Sequence, residues 1–459
     1  MKAEYSQFQA ASRIKSRDQV HLTKIAKAID TYDNAVAEMQ SRQYVNWQKA
    51  CTAAAEIKEC ALHDLASLLE EFEKNISGRG AKVLWAQNAH EARQHILSII
   101  NAHNARKVVK SKSMTTEEIG FNEFFEGQGI EVFETDLGEL IVQLAGEKPY
   151  HIVTPAMHKS TSEIAQLFHK KFGIPISDNA EELTMAARAY LRNAYVTADV
   201  GVTGANFIIA DEGAIVVTEN EGNARLTISC PKVHIVLVGI EKIIPKLSQL
   251  SLFLPLLATI GTGQQITCYN SIIRGPKKSD EMDGPEEMYV ILIDNGRSDI
   301  YRNSTFREAL RCIRCGACLN TCPVYRTIGG HTYHTAYQGP IGSVITPHLC
   351  GFTQWNHLSF ASSLCASCTQ VCPVNIEIHR LLLENRWEAF KGKHIGITWK
   401  FSLAFWAFIA SRRSRMNLLR KVVKPGLKVL TKLLPASKRK HIPKMSSKSF
   451  ADIWSAYGQ

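Results

Sequence analysis

Two cysteine strings constrain this chain more than any other feature. Residues 312–323 read CIRCGACLNTCP, which is C-x2-C-x2-C-x3-C-P, and residues 365–373 read CASCTQVCP, which is C-x2-C-x3-C-P. A cubane iron–sulfur cluster needs four thiolates converging from tetrahedral directions. Cysteines three apart on a tight loop wrap one face of it, and Gly316 lets the backbone curl close to the sulfides. The last cysteine of each string, followed by proline, points away and in two-cluster ferredoxins ligates the other cluster. That rule assigns Cys312, Cys315, Cys318 and Cys372 to cluster one, and Cys322, Cys365 and Cys368 to cluster two. Structural zinc uses pairs of C-x2-C with a longer spacer between them, not a continuous triplet plus C-P.

The second string is one ligand short. A full repeat would begin at position 362, where the chain has Ser362. Cluster two is therefore a [3Fe–4S] centre, or a [4Fe–4S] centre completed by Ser362, Cys350, solvent or a partner. The loop between the strings carries His331, His334 and His348. These could tune potential through hydrogen bonds to sulfur, although packing over the clusters is the plainer reading.

Seven of the 12 cysteines fall in this block, and such crowding in a reducing compartment means metal or redox chemistry rather than disulfides. Cys51, Cys60, Cys230, Cys268 and Cys350 read as buried, inert small hydrophobes. The opening MKAEYSQFQAASRIK has no apolar signal region, and no apolar run reaches the ~20 residues of a spanning helix. A cytoplasmic protein is the expectation.

Net charge is +11, yet 16 basic residues against one acidic, Glu388, lie between Arg386 and Lys444. The basicity belongs to the tail, and the body gives no reason to expect nucleic acid. Within the tail, FSLAFWAFIA at 401–410 covers half a membrane span. Trp399 and Trp406 sit there, and Arg412, Arg413 and Arg415 follow. Such a segment suits an anionic membrane surface or, more simply, packing on a partner subunit.

Periodicity divides the rest. Residues 1–78 read as helix, with Leu62, Leu65, Leu68, Leu69 and Phe72 recurring at helical spacing. Residues 79–300 alternate short β runs (VLWA, KVVK, GIEVFE, HIVTP, ANFIIAD, GAIVVTE, HIVLVGI, MYVILID) with amphipathic helices, as an α/β domain around a mostly parallel sheet does. Thr115 and Glu118 suggest a capping box. Residues 301–385 form the cluster block, and 386–459 the basic helical tail. Gly201-Val202-Thr203-Gly204 and Gly261-Thr262-Gly263-Gln264 read as loops able to nest a small anion, flanked by Glu212, Glu219, Glu221 and Asn223. Ordinary turns explain them equally well. No G-x-G-x-x-G follows a strand, so no nicotinamide or flavin site is expected.

The strings KSKSMTTEEIG, ANFIIADEGAIVVTENEGNARL, CIRCGACLNTCPVYRTIGGHTY, YQGPIGSVITP and CASCTQVCPVNI resemble the lactate utilization protein B family along essentially the whole chain. The resemblance implies an α/β LUD domain, similar in fold to sugar-phosphate isomerases, followed by an α-helical, two-cluster ferredoxin-like domain. It implies an electron-transfer subunit of L-lactate oxidation to pyruvate. Its partners would be a protein with Cys-rich CCG domains and a shorter LUD protein, with a small 2-hydroxy acid oxidised at the complex. It carries all seven cysteine ligands over, and the family pattern also lacks a cysteine at Ser362. Three other readings stay open: the cluster subunit of another quinone-linked dehydrogenase, an LUD-domain ligase or isomerase with structural clusters, and a scaffold that only holds partner subunits together.

Overall fold

The computed structural model describes residues 2–392, 394, 397–419, 448 and 450–457. Residues Met1–Ala389 form one compact unit and Phe390–Gln459 another.

Helices come first, as the leucine spacing predicts: α1 Lys2–Lys15, α2 Gln19–Gln43, α3 Trp47–His63 and α4 Leu65–Ser77. Asp18 and Asn46 start α2 and α3 by accepting the N–H of His21 and Lys49, which satisfies amides left over at a helix start. Ten strands follow: β1 Lys82–Ala86, β2 Lys107–Lys110, β3 Glu131–Glu134, β4 Val200–Thr203, β5 Phe207–Ile209, β6 Ala214–Glu219, β7 Val233–Gly239, β8 Ile243–Ile244, β9 Tyr269–Ile273 and β10 Glu287–Ile293. Six make a wholly parallel sheet in the order β1-β10-β7-β4-β2-β3. The run VHIVLVG is buried along its length because β7 is central and covered on both faces. Ile235 and Leu237 face one core with Ile96, Phe121 and Phe125, while Val236 and Val238 face the other with Leu69 and Phe72 of α4.

The expected strands ANFIIAD and GAIVVTE do form, as β5 and β6, but in a separate second sheet of four strands, β8-β5-β6-β9, that the sequence reading did not set apart. Its apolar face joins α1, α2, α3 and the cysteine block in the largest core of the molecule, through Ile25, Phe207, Phe253, Leu310 and Tyr325.

Three local expectations are corrected. The helix Met114–Glu118 is capped by Ser113, which accepts the N–H of Thr116, so Thr115 and Glu118 form no capping box. The string HIVTP is a turn rather than a strand, because the His151 ring accepts the N–H groups of Val153 and Thr154. Residues 201–203 are the buried strand β4 rather than a loop, where a side chain on Gly201 would strike the Thr227 carbonyl. Likewise Gly261 and Thr262 end the helix Leu250–Thr262, which Gly263 closes at φ 70°.

Candidate functional site: the cysteine block and its charged surroundings

Both cysteine strings adopt the same backbone path. Arg314 and Leu364 stand at φ 61° and 54°, and Gly316 and Ala366 at φ 82° and 66°. Single-turn helices follow at once, Ala317–Asn320 and Ser367–Gln370. Left-handed residues between right-handed ones turn successive groups towards one point, the geometry of a nest. Ala366 holds this shape with a Cβ that disfavours it by about 1–2 kcal/mol. Ala366→Gly should therefore raise holoprotein stability by roughly 0.5–1 kcal/mol, the relief less glycine's entropy cost, read as the midpoint shift in anaerobic denaturation.

The fold brings four of the cysteines around one enclosed space. Cys312, Cys315, Cys318 and Cys372 line a small cavity of about 20 Å³, together with Ile152, Ile341 and Ile376. Cys322, Cys365 and Cys368 form the neighbouring group and interact electrostatically with one another. Backbone N–H groups point at sulfur in both: Arg314 to Cys312 at 3.4 Å, Ile376 to Cys372 at 3.4 Å, and Tyr325 to Cys322 at 3.5 Å. Burial pushes the Cys372 thiol up to about 12 and Cys368 to about 11, and drives Cys315 and Cys318 up as well. Thiols so placed ionise only when a metal supplies positive charge, which fits an iron–sulfur cluster. Exposed Cys365 differs, since the Ser367 side chain and N–H draw it down to about 7.

The surroundings of the first group are cationic. Lys58, Lys242, Arg297 and Arg314 are inaccessible or nearly so, and the carboxylates among them are Glu118 and Glu241. Arg297 joins Glu118 at 2.8 Å and Glu241 at 2.5 Å. Arg314 reaches Glu241 at 3.4 Å and lies over the Tyr337 ring at 4.5 Å. Its Nη1 is buried and has no hydrogen-bond partner among the described residues. Lys58 donates to the carbonyls of Glu241 and Ile243. Burial pulls Lys58 down to about 7 and Lys242 to about 8. Cys312 acts on Lys58, Lys242 and Arg314 alike, favouring their charged forms. Lys58 and Lys242 thus stand near the cysteines without an ion-pair partner among the described residues, and an oxidised cubane held by four thiolates carries two negative charges, which would favour their protonated forms. The residues fit the group.

A cavity of about 520 Å³ opens at the carboxyl ends of β2, β4 and β7, where open α/β sheets place ligands. Gly204, Gly261, Thr262, Glu219, Glu221 and Asn223 all line it, together with Lys112, Asp136, Lys242, Arg314 and Cys315. The two glycine segments do converge there, although as strand and helix ends. Its acids are largely engaged: Glu219 accepts the N–H of Ala224 and Arg225, and Glu221 that of Leu137. Burial and then Asp136 push Glu221 up to about 7. Glu212 instead pairs with Arg79 and Arg274 away from the cavity.

The loop histidines bond elsewhere than to sulfur. His331 bonds the Lys148 carbonyl at 2.7 Å and His348 the Asn385 amide oxygen at 2.9 Å, while His334 is exposed. Of the cysteines outside the block only Cys51 is buried, and Cys60, Cys230, Cys268 and Cys350 are exposed. The burial habit of free cysteine misplaced these four because their helix and strand ends face outward.

Comparison with known proteins matches an LUD domain to residues 69–293 and a 4Fe-4S dicluster domain to residues 308–376. Lactate utilization protein B of Geobacillus sp. (strain WCH70) is 45% identical over 342 residues, covering 74% of this chain and 72% of the relative. The Bacillus subtilis protein of that name is 44% identical, covering 74% and 71%. That of Oceanobacillus iheyensis is 42% identical over 394 residues, covering 86% and 82%. The chain belongs to the lactate utilization protein B family. The family's iron–sulfur block and α/β domain are thus both present, in the order the sequence implied. What sequence reasoning missed is the charged setting: Lys58, Lys242 and Arg297 lie far from the cysteine strings, and only the folded chain brings them alongside.

Proposed function

We propose that this chain passes electrons, one at a time, during oxidation of L-lactate to pyruvate by a complex with a CCG-domain protein and a shorter LUD protein. The cavity ringed by Cys312, Cys315, Cys318 and Cys372, with Cys322, Cys365 and Cys368 adjoining it, carries this reading. When bound, the two clusters would supply one-electron carriers. The seven thiolates hold them, the N–H groups of Arg314, Ile376 and Tyr325 stabilise negative charge on sulfur, and the isoleucine wall keeps water from the first site.

The fourth ligand of the second cluster is left to Ser362, solvent or a partner, or that cluster is [3Fe–4S]. Cys350 is not favoured, because the charged groups acting on it are Glu118 and Arg297 rather than other cysteines. Exposed Cys365 supports contact with a sister subunit at this end.

Among the described residues no helix is long and apolar enough to cross a membrane. The helix Ile397–Ala410 exposes Trp399, Phe401, Phe405 and Trp406, which supports docking to a partner subunit over a membrane surface. The basic run beyond residue 419 lies outside the described residues.

The test is anaerobic mixing of this chain with its two sister proteins and L-lactate, followed by electron paramagnetic resonance. Lactate-dependent reduction of the clusters is expected. Clusters that stay oxidised while pyruvate accumulates would leave them structural.

A further inference from the structure

The two cysteine groups sit in unlike electrostatic settings, and this difference bears on the order in which they fill. Near the first, Lys58 and Arg297 are buried, Arg314 stands between the ligands Cys312 and Cys315, and Lys242 lines the open cavity with Arg314 and Cys315. Arg297 and Arg314 are paired with Glu118 and Glu241, and the two lysines are in no ion pair among the described residues. Arg311 also stands beside Cys372, but it is paired with Glu308 at 2.5 Å and Glu59 at 3.8 Å and so adds no net charge. The second string, residues 362–373, contains no lysine or arginine, whereas the first carries Arg314 between two ligands. Arg386 donates to the carbonyls of Ser359 and Ser362 at this end, but it is partly exposed, so solvent screens its charge.

Resting on the electron-transfer reading above, we propose that Lys242 and Arg314, with Lys58 and Arg297 behind them, form a buried counter-charge that raises the potential of the first cluster selectively, so that it fills before the second. Reduction adds one negative charge and no proton. The electron arrives from the second cluster, which is oxidised as the first is reduced. Dry surroundings alone would oppose that extra charge. Arg314 lines the cysteine pocket itself and Lys242 the adjoining cavity with Cys315, so both stand on the side of the first cluster, where their attraction favours the added charge. Hydrogen bonding to sulfur does not separate the two sites, since each receives it from backbone N–H or a neighbouring hydroxyl. The imbalance of charge is what differs. Lys242 is the more telling residue: it has no hydrogen-bond or ion-pair partner among the described residues, so removing its charge frees no carboxylate. In this scheme it is a positioning residue, acting on the reduction equilibrium without ligating iron.

The experiment is an anaerobic redox titration of the full chain with both clusters loaded, followed by electron paramagnetic resonance, with Cys365→Ser assigning the signal that remains to the first cluster. In the native protein the first cluster should have the higher midpoint. Lys242→Met should lower that midpoint alone by a tenfold or greater change in the reduction equilibrium, ~59 mV for a one-electron couple, and Lys242→Arg should restore it. Equal midpoints, a first cluster that fills second, or a Lys242→Met shift common to both clusters would each overturn the proposal. Should Lys242→Met fail to load its clusters, the order of filling in the native protein decides. Native material lacking two clusters would instead strike at the electron-transfer reading itself.

Discussion

Cys315→Ser should remove about half of the bound iron and abolish the signal of one cluster while sparing the other. It should cut lactate-dependent electron throughput on the order of 10²-fold or more, because even an outer-shell change costs 10–100-fold at a metal site and this is a direct ligand. Cys315 is the one cysteine in the wall of both cavities, the enclosed one ringed by four sulfurs and the open one at the sheet edge. A serine there fits sterically, so loss of iron would report ligation rather than disrupted packing. The second group shares none of its three sulfurs with this site. Cys350→Ser is the matched control: the residue is exposed at the end of the helix Gly339–Cys350, and the variant should keep its full iron. Iron, sulfide and spin quantitation on anaerobic protein check all of this. Equal iron loss in Cys350→Ser, or full iron in Cys315→Ser, would contradict the ligand assignment.

What could be read from the sequence, and what could not, divides along a physical line. The cysteine spacing is a local code, since ligands three apart on a loop and a Cys-Pro reaching across are set by chain geometry within a few residues. The strands of the parallel sheet were equally legible where a run is buried on both faces, as HIVLVGI and MYVILID are, because no polar residue interrupts them. HIVTP failed as a strand for a related reason: its β-branched residues fit a sheet, but the His151 ring captures the following amides and bends the chain. Strand β4 was missed because VGVT is short and rich in glycine, while the close approach of the Thr227 carbonyl that requires Gly201 is a tertiary fact. Burial of charge is the extreme case. Lys58, Lys242 and Arg297 look like surface residues in sequence, and only their shared position around Cys312 marks them as something else.

Arg297→Met should destabilise the folded chain by about 3–5 kcal/mol at pH 7.5, the range for stripping one partner from a buried ion network. The guanidinium grips Glu118 through two hydrogen bonds, at 2.9 and 2.8 Å, and Glu241 through a third at 2.5 Å. Glu118 also takes the Tyr337 hydroxyl at 2.6 Å, so this network ties the helix Met114–Glu118 and the end of β7 to the loop between the cysteine strings. Burial would push the Glu241 carboxyl up, but Arg297 and then Arg314 outweigh it and hold the group down to about 2. A depressed carboxyl stabilises the native protein above the unfolded value of ~4.3 and ceases to do so as pH falls towards 2. In the variant Glu241 and Glu118 are buried with less positive charge, so their pKa values rise and folding favours their protonated forms. The variant must then lose stability as pH rises from the unfolded value through the raised one. Its deficit against the native chain should accordingly widen from pH 5.5 to pH 8, whereas a merely steric defect would stay flat. Denaturant unfolding at several pH values separates the two. A constant or narrowing deficit would mean that the network around Arg297 does not hold the α/β domain to the cysteine block by charge.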